Sequence, residues 1–440
     1  MPQAGDIPVC PETPTARSSG RTTKEYRISV VTPLFGGGAE AGEPDESLPI
    51  RGTSIRGQIQ FWWRATCGAG FKTHEYLFAR HAEVWGTTDK ASPVEIYVYD
   101  VKANAAEPCA EYTARNDGRL QLRWTPRFDA PNREVPYALF PFQGQLSKDR
   151  RTVEKEPAKF VEAASFTLRL RYPATLRQDV EVAVWAWVNF GGIGARTRRG
   201  CGALLCEELA PSGVNDLQRW FRNGWLNGER NVRGWPTMPA SLLIGSPPQA
   251  PLDAWKRIIG LLQAFRQGEG IARNPGGQRN RPGRSRYPEP ETIRRITGHR
   301  PASHPRLNHI PDDAFPRAEL GLPIVFHFQG QGEPPDTVLY PSCGPNGDSG
   351  ERMASPLILK PLVLADGKAV PLIMQLVTPG LVGVDLKQGN NSLNLPKTTE
   401  VRAGRLATYR DSPLAGLVSG SAVEAFLSHA RRNGFREITR

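Results

Sequence analysis

One segment of the chain combines glycine with arginine in a pattern suited to binding phosphate. Residues 191–202, GGIGARTRRGCG, contain the five candidate residues Gly192, Gly194, Arg196, Arg198 and Arg199. Glycines let a backbone lie close to a phosphodiester chain, and guanidinium groups bind phosphates bidentately. The segment is neither a Walker A loop nor a dinucleotide fingerprint, because Gly-Lys-Ser/Thr is missing and Thr197 occupies the position of the third glycine. A glycine-rich turn with solvated arginines is the alternative.

A second segment, RGTSIRGQIQFWWRA at residues 51–65, places Arg51, Arg56 and Arg64 in an apolar run. From Ser54, a candidate N-cap, the spacing predicts a helix. One side of that helix is apolar and consists of Ile55, Ile59, Trp62 and Trp63. The adjoining face carries Arg56, Gln60 and Arg64. The face is either basic and functional or simply the solvated side of a core helix.

The third basic region runs from residue 256 to residue 306, where twelve Lys and Arg stand against three Glu. Its loop-rich part predicts a segment that orders on RNA, with Tyr287 available for stacking. A solvated basic loop is the alternative. The candidate RNA-binding residues here are Arg284, Arg286, Arg294 and Arg295.

The bulk composition agrees with a polyanionic partner. The chain has 440 residues and a net charge of +12, and such a balance favours nucleic acid. The six cysteines form no C-x-x-C pair, which is typical of reduced thiols in a cytosolic protein. Neither a signal peptide nor a span of about 20 apolar residues is present, so we expect a cytoplasmic location. We expect no metal, because His299, His304 and His309 do not share one helical face and no cysteine pair accompanies them.

The positioning elements follow from periodicity. Strands are predicted at 24–35, 92–101 and 162–172, and residues 179–189 fit either a strand or a helix that ends at the glycines. With the helix at 51–65 and a closing strand after the glycines, the order is strand, helix, strand, strand, helix, strand, which is the split βαβ order. Turn signals between 211 and 240 predict the start of a second domain. A capping box at Ser421 and Glu424 predicts a last helix.

Several of these segments resemble the RAMP superfamily of CRISPR RNA-binding proteins. The resemblance rests on LPIRGTSIRGQIQFWWRA, FGGIGARTRRGCGAL, EVWGTTDKASPVEIYV, YPEPETIRRITG, ELGLPIVFHF and ERMASPLILKP. In detail they are similar to the first-subunit family of the type III-B Cmr complex.

The resemblance implies an α+β fold with two ferredoxin-like (RRM-type) domains, no cofactor and no enzymatic activity. It divides the chain into a disordered tail (1–21), an N-terminal domain (22–210) and a C-terminal domain (211–440), with insertions at 102–160 and 268–310. It assigns 179–189 to a helix. The implied partners are guide RNA, whose 3′ end the family holds, target RNA and neighbouring Cmr RAMP subunits.

Two other functions are open from the sequence. RAMP backbone subunits cut target RNA with an aspartate in the loop before the segment that corresponds to LPI, and Asp45 occupies a comparable position. An endoribonuclease acting through Asp45 is therefore one alternative, although Asp45 also fits a solvated loop acid. A cap that contacts only protein is the other. From the binding hypothesis we expect all six arginines of the two motifs to face one RNA groove.

Overall fold

The computed structural model describes residues 20–38, 43–128, 134–222, 234–267, 285, 287–302, 314–328, 330–342, 350–393, 412–417 and 420–439. Helices and antiparallel strands both occur in each half of these ranges, which confirms a mixed α+β fold. Among these residues, no helix is both long enough and apolar enough to cross a membrane.

The N-terminal half is built on a four-stranded antiparallel sheet. Its elements in chain order are β1 (Arg21–Val30), β2 (Leu34–Phe35), α1 (Gly52–Ala65), α2 (His74–Trp85), β3 (Glu95–Ala103), β4 (Glu107–Pro108), β5 (Ala110–Ala114), β6 (Leu120–Trp124), α3 (Glu134–Leu139), β7 (Gln145–Leu146), β8 (Val153–Lys155), β9 (Lys159–Val161), β10 (Ala164–Pro173), α4 (Arg177–Phe190), β11 (Leu204–Leu205) and α5 (Val214–Arg222). The spatial order of this first sheet is β11–β1–β10–β3. The short strands β4 to β9 lie in the region of the predicted insertion at 102–160. They form three small sheets among the described residues, β2–β9–β4, β5–β6 and β7–β8.

The C-terminal half repeats that strand order. Its elements are β12 (Ser241–Ile244), α6 (Pro251–Gln267), α7 (Glu289–Thr297), β13 (Ile324–Phe326), β14 (Thr337–Ser342), β15 (Leu357–Val363), β16 (Ala369–Gln375), β17 (Gly383–Gln388), β18 (Asn391–Leu393), α8 (Ala422–Arg432) and β19 (Arg436–Thr439). The second sheet runs β15–β16–β12–β19. If the four strands of each sheet are counted along the chain, both sheets have the order 4-1-3-2. A third sheet, β13–β14–β17–β18, is inserted into the second half and packs with α7.

The two main sheets and their helices form a stack of four layers. α1 and α4 pack on the inner face of the first sheet, and their core continues into one face of the second sheet through Ile358, Leu362 and Leu372. The opposite face of the second sheet packs on α6 and α8. The second sheet is therefore covered on both sides, and every residue of β15 is buried. The first sheet is covered on one side, so its strands alternate between buried and exposed residues.

The helix predicted at 179–189 is confirmed as α4, and Ser421 caps α8 by accepting a hydrogen bond from the backbone N–H of Glu424. The N-cap prediction at Ser54 is wrong. α1 begins at Gly52 with Arg51 as its N-cap, because the backbone N–H of Ile55 already bonds to the Arg51 carbonyl at 3.1 Å. Residues 1–19 of the predicted tail lie outside the described residues, and Arg21 already belongs to β1.

Candidate nucleic-acid interface

The glycine loop, residues 191–202, connects α4 to β11 and is folded by its own backbone. Its N–H groups bond to the carbonyl oxygens of β2 and of the segment before it, as from Ala195 to Phe35 at 2.7 Å and from Gly202 to Pro33 at 3.0 Å. Gly194 has a φ of +79°, and a Cβ there would overlap Leu34 and the Phe35 carbonyl. The glycines therefore allow the loop to pack closely on β2. Of the loop's first four residues, only Gly194 is exposed to solvent.

The three arginines of the loop lie at the junction of the two halves. Arg198 donates to the carbonyl oxygen of Ser355, and Arg199 Nη1 donates to that of Leu357 at 3.1 Å. From the other half, the indole N–H of Trp255 donates to the Arg199 carbonyl at 2.6 Å. The loop is thus bonded to the edge of β15 and to α6. Its arginines are half-buried rather than fully solvated.

Burial lowers the pKa of each loop arginine. The pKa of Arg199 falls to about 9, because the guanidinium is desolvated and because Arg196 and Arg266 repel it. Desolvation also lowers the pKa of Arg196 and of Arg198. No described carboxylate contributes to these three values, and the Nε of Arg196 is buried without a hydrogen-bond partner among the described residues. The result is a cluster of positive charge that is only partly compensated.

α1 meets the loop through its aromatic residues. The Arg198 guanidinium lies 5.6 Å from the centre of the Phe61 ring, and a Cβ at Gly191 would overlap Trp62. One turn further along α1, Arg64 is half-buried, and desolvation alone lowers its pKa. Arg64 therefore resembles the loop arginines in its electrostatic state.

The prediction of one groove for all six arginines is wrong for Arg56. Its guanidinium donates to the carbonyl oxygen of Trp85, the last residue of α2. Burial lowers the pKa of His81, and the charges of Arg64 and Arg56 lower it further, so both arginines lie on the side of α1 that is turned to α2. Arg56 therefore stabilises the C-terminal end of a helix, where a cation is favoured.

Arg51 and Asp45 lie in and near the loop that precedes α1. The Asp45 carboxylate accepts hydrogen bonds from the Ser47 hydroxyl at 2.7 Å and from the N–H groups of Ser47 and Leu48, both at 3.0 Å. These bonds, and more weakly the charge of Arg51, lower the pKa of Asp45. The carboxylate orders its own turn, as Asp commonly does.

The structure corrects the prediction for the basic region at two positions. Arg294 is 7% exposed and forms ion pairs with Glu291 at 2.9 Å and with Glu333 through two hydrogen bonds of 2.9 and 3.0 Å. Its guanidinium is therefore not available to RNA. Tyr287 is 2% exposed, so its ring is not accessible for stacking on a base. Arg295 is exposed, and Arg284 and Arg286 lie outside the described residues.

Sequence reasoning missed two cations at the junction. Lys360 is 1% exposed, and its ammonium group donates to the carbonyl oxygens of Gly191 at 2.8 Å and Val188 at 3.3 Å. A single lysine inside the apolar strand PLILKPLVL was a usable signal, because lysine is buried only where it has partners. Arg266, which hydrogen bonds to Tyr137 and raises the positive potential at Arg199, lies in the last turn of α6 and gave no such signal.

Residues 27–205 match the model of the RAMP superfamily, and both arginine motifs lie within this range. The chain is also similar to the CRISPR system Cmr subunit Cmr1-2 of Pyrococcus furiosus. The two are 26% identical over 194 residues, which are 42% of this chain and 95% of the relative.

Solved structures of similar organisation are also found. The crystal structure of apo Cmr1 from Pyrococcus furiosus is 16% identical, with a TM-score of 0.46 over 82% of this chain and 90% of that chain. A chain in the cryo-EM structure of type III-B Cmr-beta bound to cognate target RNA is 12% identical, with a TM-score of 0.43 over 80% of this chain and 94% of that one.

Proposed function

We propose that this chain is a non-catalytic RNA-binding subunit of a type III-B CRISPR ribonucleoprotein. In this proposal it caps the end of the complex that holds the 3′ end of the guide RNA, and it helps to capture target RNA. The observation that carries the proposal is the state of Arg64, Arg196, Arg198 and Arg199. Burial lowers the pKa of all four, and no described carboxylate compensates them.

A phosphodiester chain supplies the negative charge and the hydrogen-bond acceptors that these four arginines lack. Each bound phosphate would restore the pKa of a desolvated guanidinium and accept its remaining hydrogen bonds, so part of the cost of burying these charges is recovered on binding. Arg196 is a candidate for such a contact, because its side chain is half-buried rather than enclosed and burial lowers its pKa. Contacts of this kind depend on salt and are largely independent of sequence.

The proposed architecture is a pair of ferredoxin-like units, one at 22–210 and one at 211–440. The 4-1-3-2 strand order of both main sheets supports it, with helices at the two crossover positions of each half. The loop arginines bridge the units, since Arg198 and Arg199 bond to the backbone at β15. Similarity to a Cmr subunit supports neighbouring Cmr subunits as protein partners.

The decisive experiment measures binding of a labelled single-stranded RNA of about 40 nucleotides across a salt series. We compare the wild type with Arg64→Gln/Arg196→Asn. Asn is chosen because Arg196 has a φ of +57°, which Asn tolerates. If each arginine contacts one phosphate, the slope of log K against log salt becomes shallower by about 0.7 per arginine. Arg123→Gln, which removes one charge on the exposed face of β6, is the control for a general effect of lost charge and leaves the slope unchanged.

Three outcomes would contradict the proposal. Equal slopes in all three proteins would show that RNA does not bind at the glycine loop. Unchanged RNA affinity together with failed assembly with co-expressed Cmr subunits would favour the protein-only cap. Cleavage of the RNA by the wild type that is lost in Asp45→Asn would favour the endoribonuclease. The Asn side chain can still accept the hydrogen bonds from Ser47 and Leu48, so that variant tests the charge rather than the turn.

A further inference from the structure

The outer face of the first sheet is a regular polar surface on the side away from α1 and α4. The registers of β1, β10 and β3 align its residues in four rows across the three strands. The rows are Thr23–Arg171–Glu95, Glu25–Arg169–Tyr97, Arg27–Thr167–Tyr99 and Ser29–Ser165–Lys102. We name these twelve residues the outer grid. They include four cations, two carboxylates and two tyrosines, and they include no aliphatic residue.

The two tyrosines lie two residues apart on the edge strand β3. Tyr97 is 49% exposed, and its hydroxyl donates to Glu95 at 2.9 Å, a bond that holds the ring along the strand. The Tyr99 ring has the Arg169 guanidinium over it, with 4.7 Å between the guanidinium carbon and the ring centre. Arg169 in turn bonds to Glu25 at 2.6 Å. Both rings are thus held in place before any ligand binds, which lowers the entropic cost of binding.

The cations of the outer grid exceed its carboxylates. Glu25 is bound to Arg169, and Glu95 lies 2.7 Å from Arg21 and 3.7 Å from Arg171. The two carboxylates of the grid are therefore matched, whereas Arg27 and Lys102 are exposed. Lys102 lies in the row next to that of Tyr99, and Arg27 lies in the same row as Tyr99 but two strands away, across Thr167. The grid thus carries two cations beyond those that face its carboxylates.

This composition selects one class of partner. A protein interface has an apolar core, and the outer grid has no aliphatic side chain with which to form one. Aromatic rings interleaved with arginines are the elements that bind single-stranded nucleic acid, because every base has a face that can stack and every nucleotide carries a phosphate. On one face of a strand, residues i and i+2 are about 6.8 Å apart, so the two tyrosines can take two separate bases.

We infer that the outer grid is a second single-stranded RNA surface, with Tyr97 and Tyr99 as stacking residues and Arg27, Arg171 and Lys102 as phosphate contacts. It is distinct from the glycine loop, which lies beyond α4 on the opposite side of the sheet. The inference therefore goes beyond the proposed function. RNA held on the outer grid remains bound in Arg64→Gln/Arg196→Asn.

The test is photo-crosslinking of a 20-nucleotide oligouridine that contains 4-thiouridine, followed by identification of the crosslinked peptides. We expect crosslinks within residues 95–103 in the wild type and also in Arg64→Gln/Arg196→Asn. Because this readout is taken on wild-type protein, it does not depend on any variant folding. Crosslinks confined to the glycine loop would overturn the inference and leave the proposed function intact.

A variant series measures the contribution of the rings. Tyr97→Val/Tyr99→Val keeps residues that favour a strand and removes the stacking faces. We expect at least about a fivefold loss of RNA affinity per tyrosine. The affinity is measured in the Arg64→Gln/Arg196→Asn background, so that RNA bound at the glycine loop does not mask the loss. Tyr76→Leu, which alters an exposed tyrosine of α2, is the control. Unchanged RNA affinity, or a loss of Cmr subunit assembly without a loss of RNA affinity, would overturn the inference.

Discussion

The ammonium group of Lys360 on β15 donates a hydrogen bond of 2.8 Å to the carbonyl oxygen of Gly191, the first residue of the glycine loop. It also bonds to the carbonyl oxygen of Val188 near the end of α4, so one cation satisfies the last turn of a helix in the opposite half. Lys360 is almost fully buried, and desolvation lowers its pKa to about 7. The junction between the halves is therefore stabilised by a charge that is itself costly to bury.

Lys360→Met is expected to change how stability depends on pH. An unfolded lysine has a pKa near 10.4, so between about pH 7 and that value the unfolded state binds more protons at this residue than the folded state. The Lys360 contribution to the free energy of unfolding therefore rises with pH, by up to about 1.4 kcal/mol per pH unit. Denaturant unfolding between pH 7 and 8.5 gives the free energy of unfolding at each pH. The Lys360 contribution is the difference between wild type and variant in the slope of that free energy against pH. Lys368→Met, at an exposed turn, should reproduce the wild-type slope.

Gly200→Ala is expected to destabilise the junction by about 2 kcal/mol or more. Gly200 has a φ of +82°, and a Cβ would lie 2.5 Å from Trp255 Cδ1 and 3.0 Å from the Leu359 carbonyl oxygen. The matched control is Gly57→Ala in α1, where a Cβ meets nothing within 4 Å. That change should stabilise the protein by about 0.5–1 kcal/mol through helix propensity. Chemical denaturation of the three proteins gives both values, and a Gly200→Ala protein as stable as wild type would refute the close packing.

Arg294→Met is expected to lower stability without lowering RNA affinity. The change removes the ion pair between Arg294 and Glu333, whose side chain is 4% exposed, and breaking such a buried pair costs about 3 kcal/mol or more. RNA binding is measured at a temperature where the variant is folded. The control is Arg295→Gln at the exposed neighbour in α7. If Arg294→Met weakened RNA binding in the folded protein, the Arg294 guanidinium would be available to RNA after all.

Tyr287→Phe is expected to leave RNA binding and photo-crosslinking unchanged. The hydroxyl is buried and has no hydrogen-bond partner among the described residues, so its removal costs no bond and eliminates an unsatisfied polar group. Thermal unfolding should show equal or slightly higher stability. A crosslink from 4-thiouridine RNA to position 287 in the wild type would show that the ring becomes accessible in the complex.

The sequence predicted the order of elements well because that order depends on local patterns. Alternation in β1 and β10 and the aromatic helix before the glycines are confirmed. The same patterns explain why the first sheet is covered on one face and the second sheet on both faces. A strand that alternates has one solvated face, whereas a strand that is apolar throughout is covered on both faces.

The sequence by itself determined which segments carry arginine and glycine, and that their spacing suits phosphate. Only the tertiary structure decided what each guanidinium faces. Arg56 is bonded to a carbonyl 29 residues away, Arg294 to a carboxylate 39 residues away, and Arg199 to a strand 158 residues away. Periodicity assigns a side chain to a face of its own element and carries no information on the element packed against it. Whether an arginine is paired or only desolvated depends on that neighbour, so the charge available to RNA was decided by the packing of the two halves.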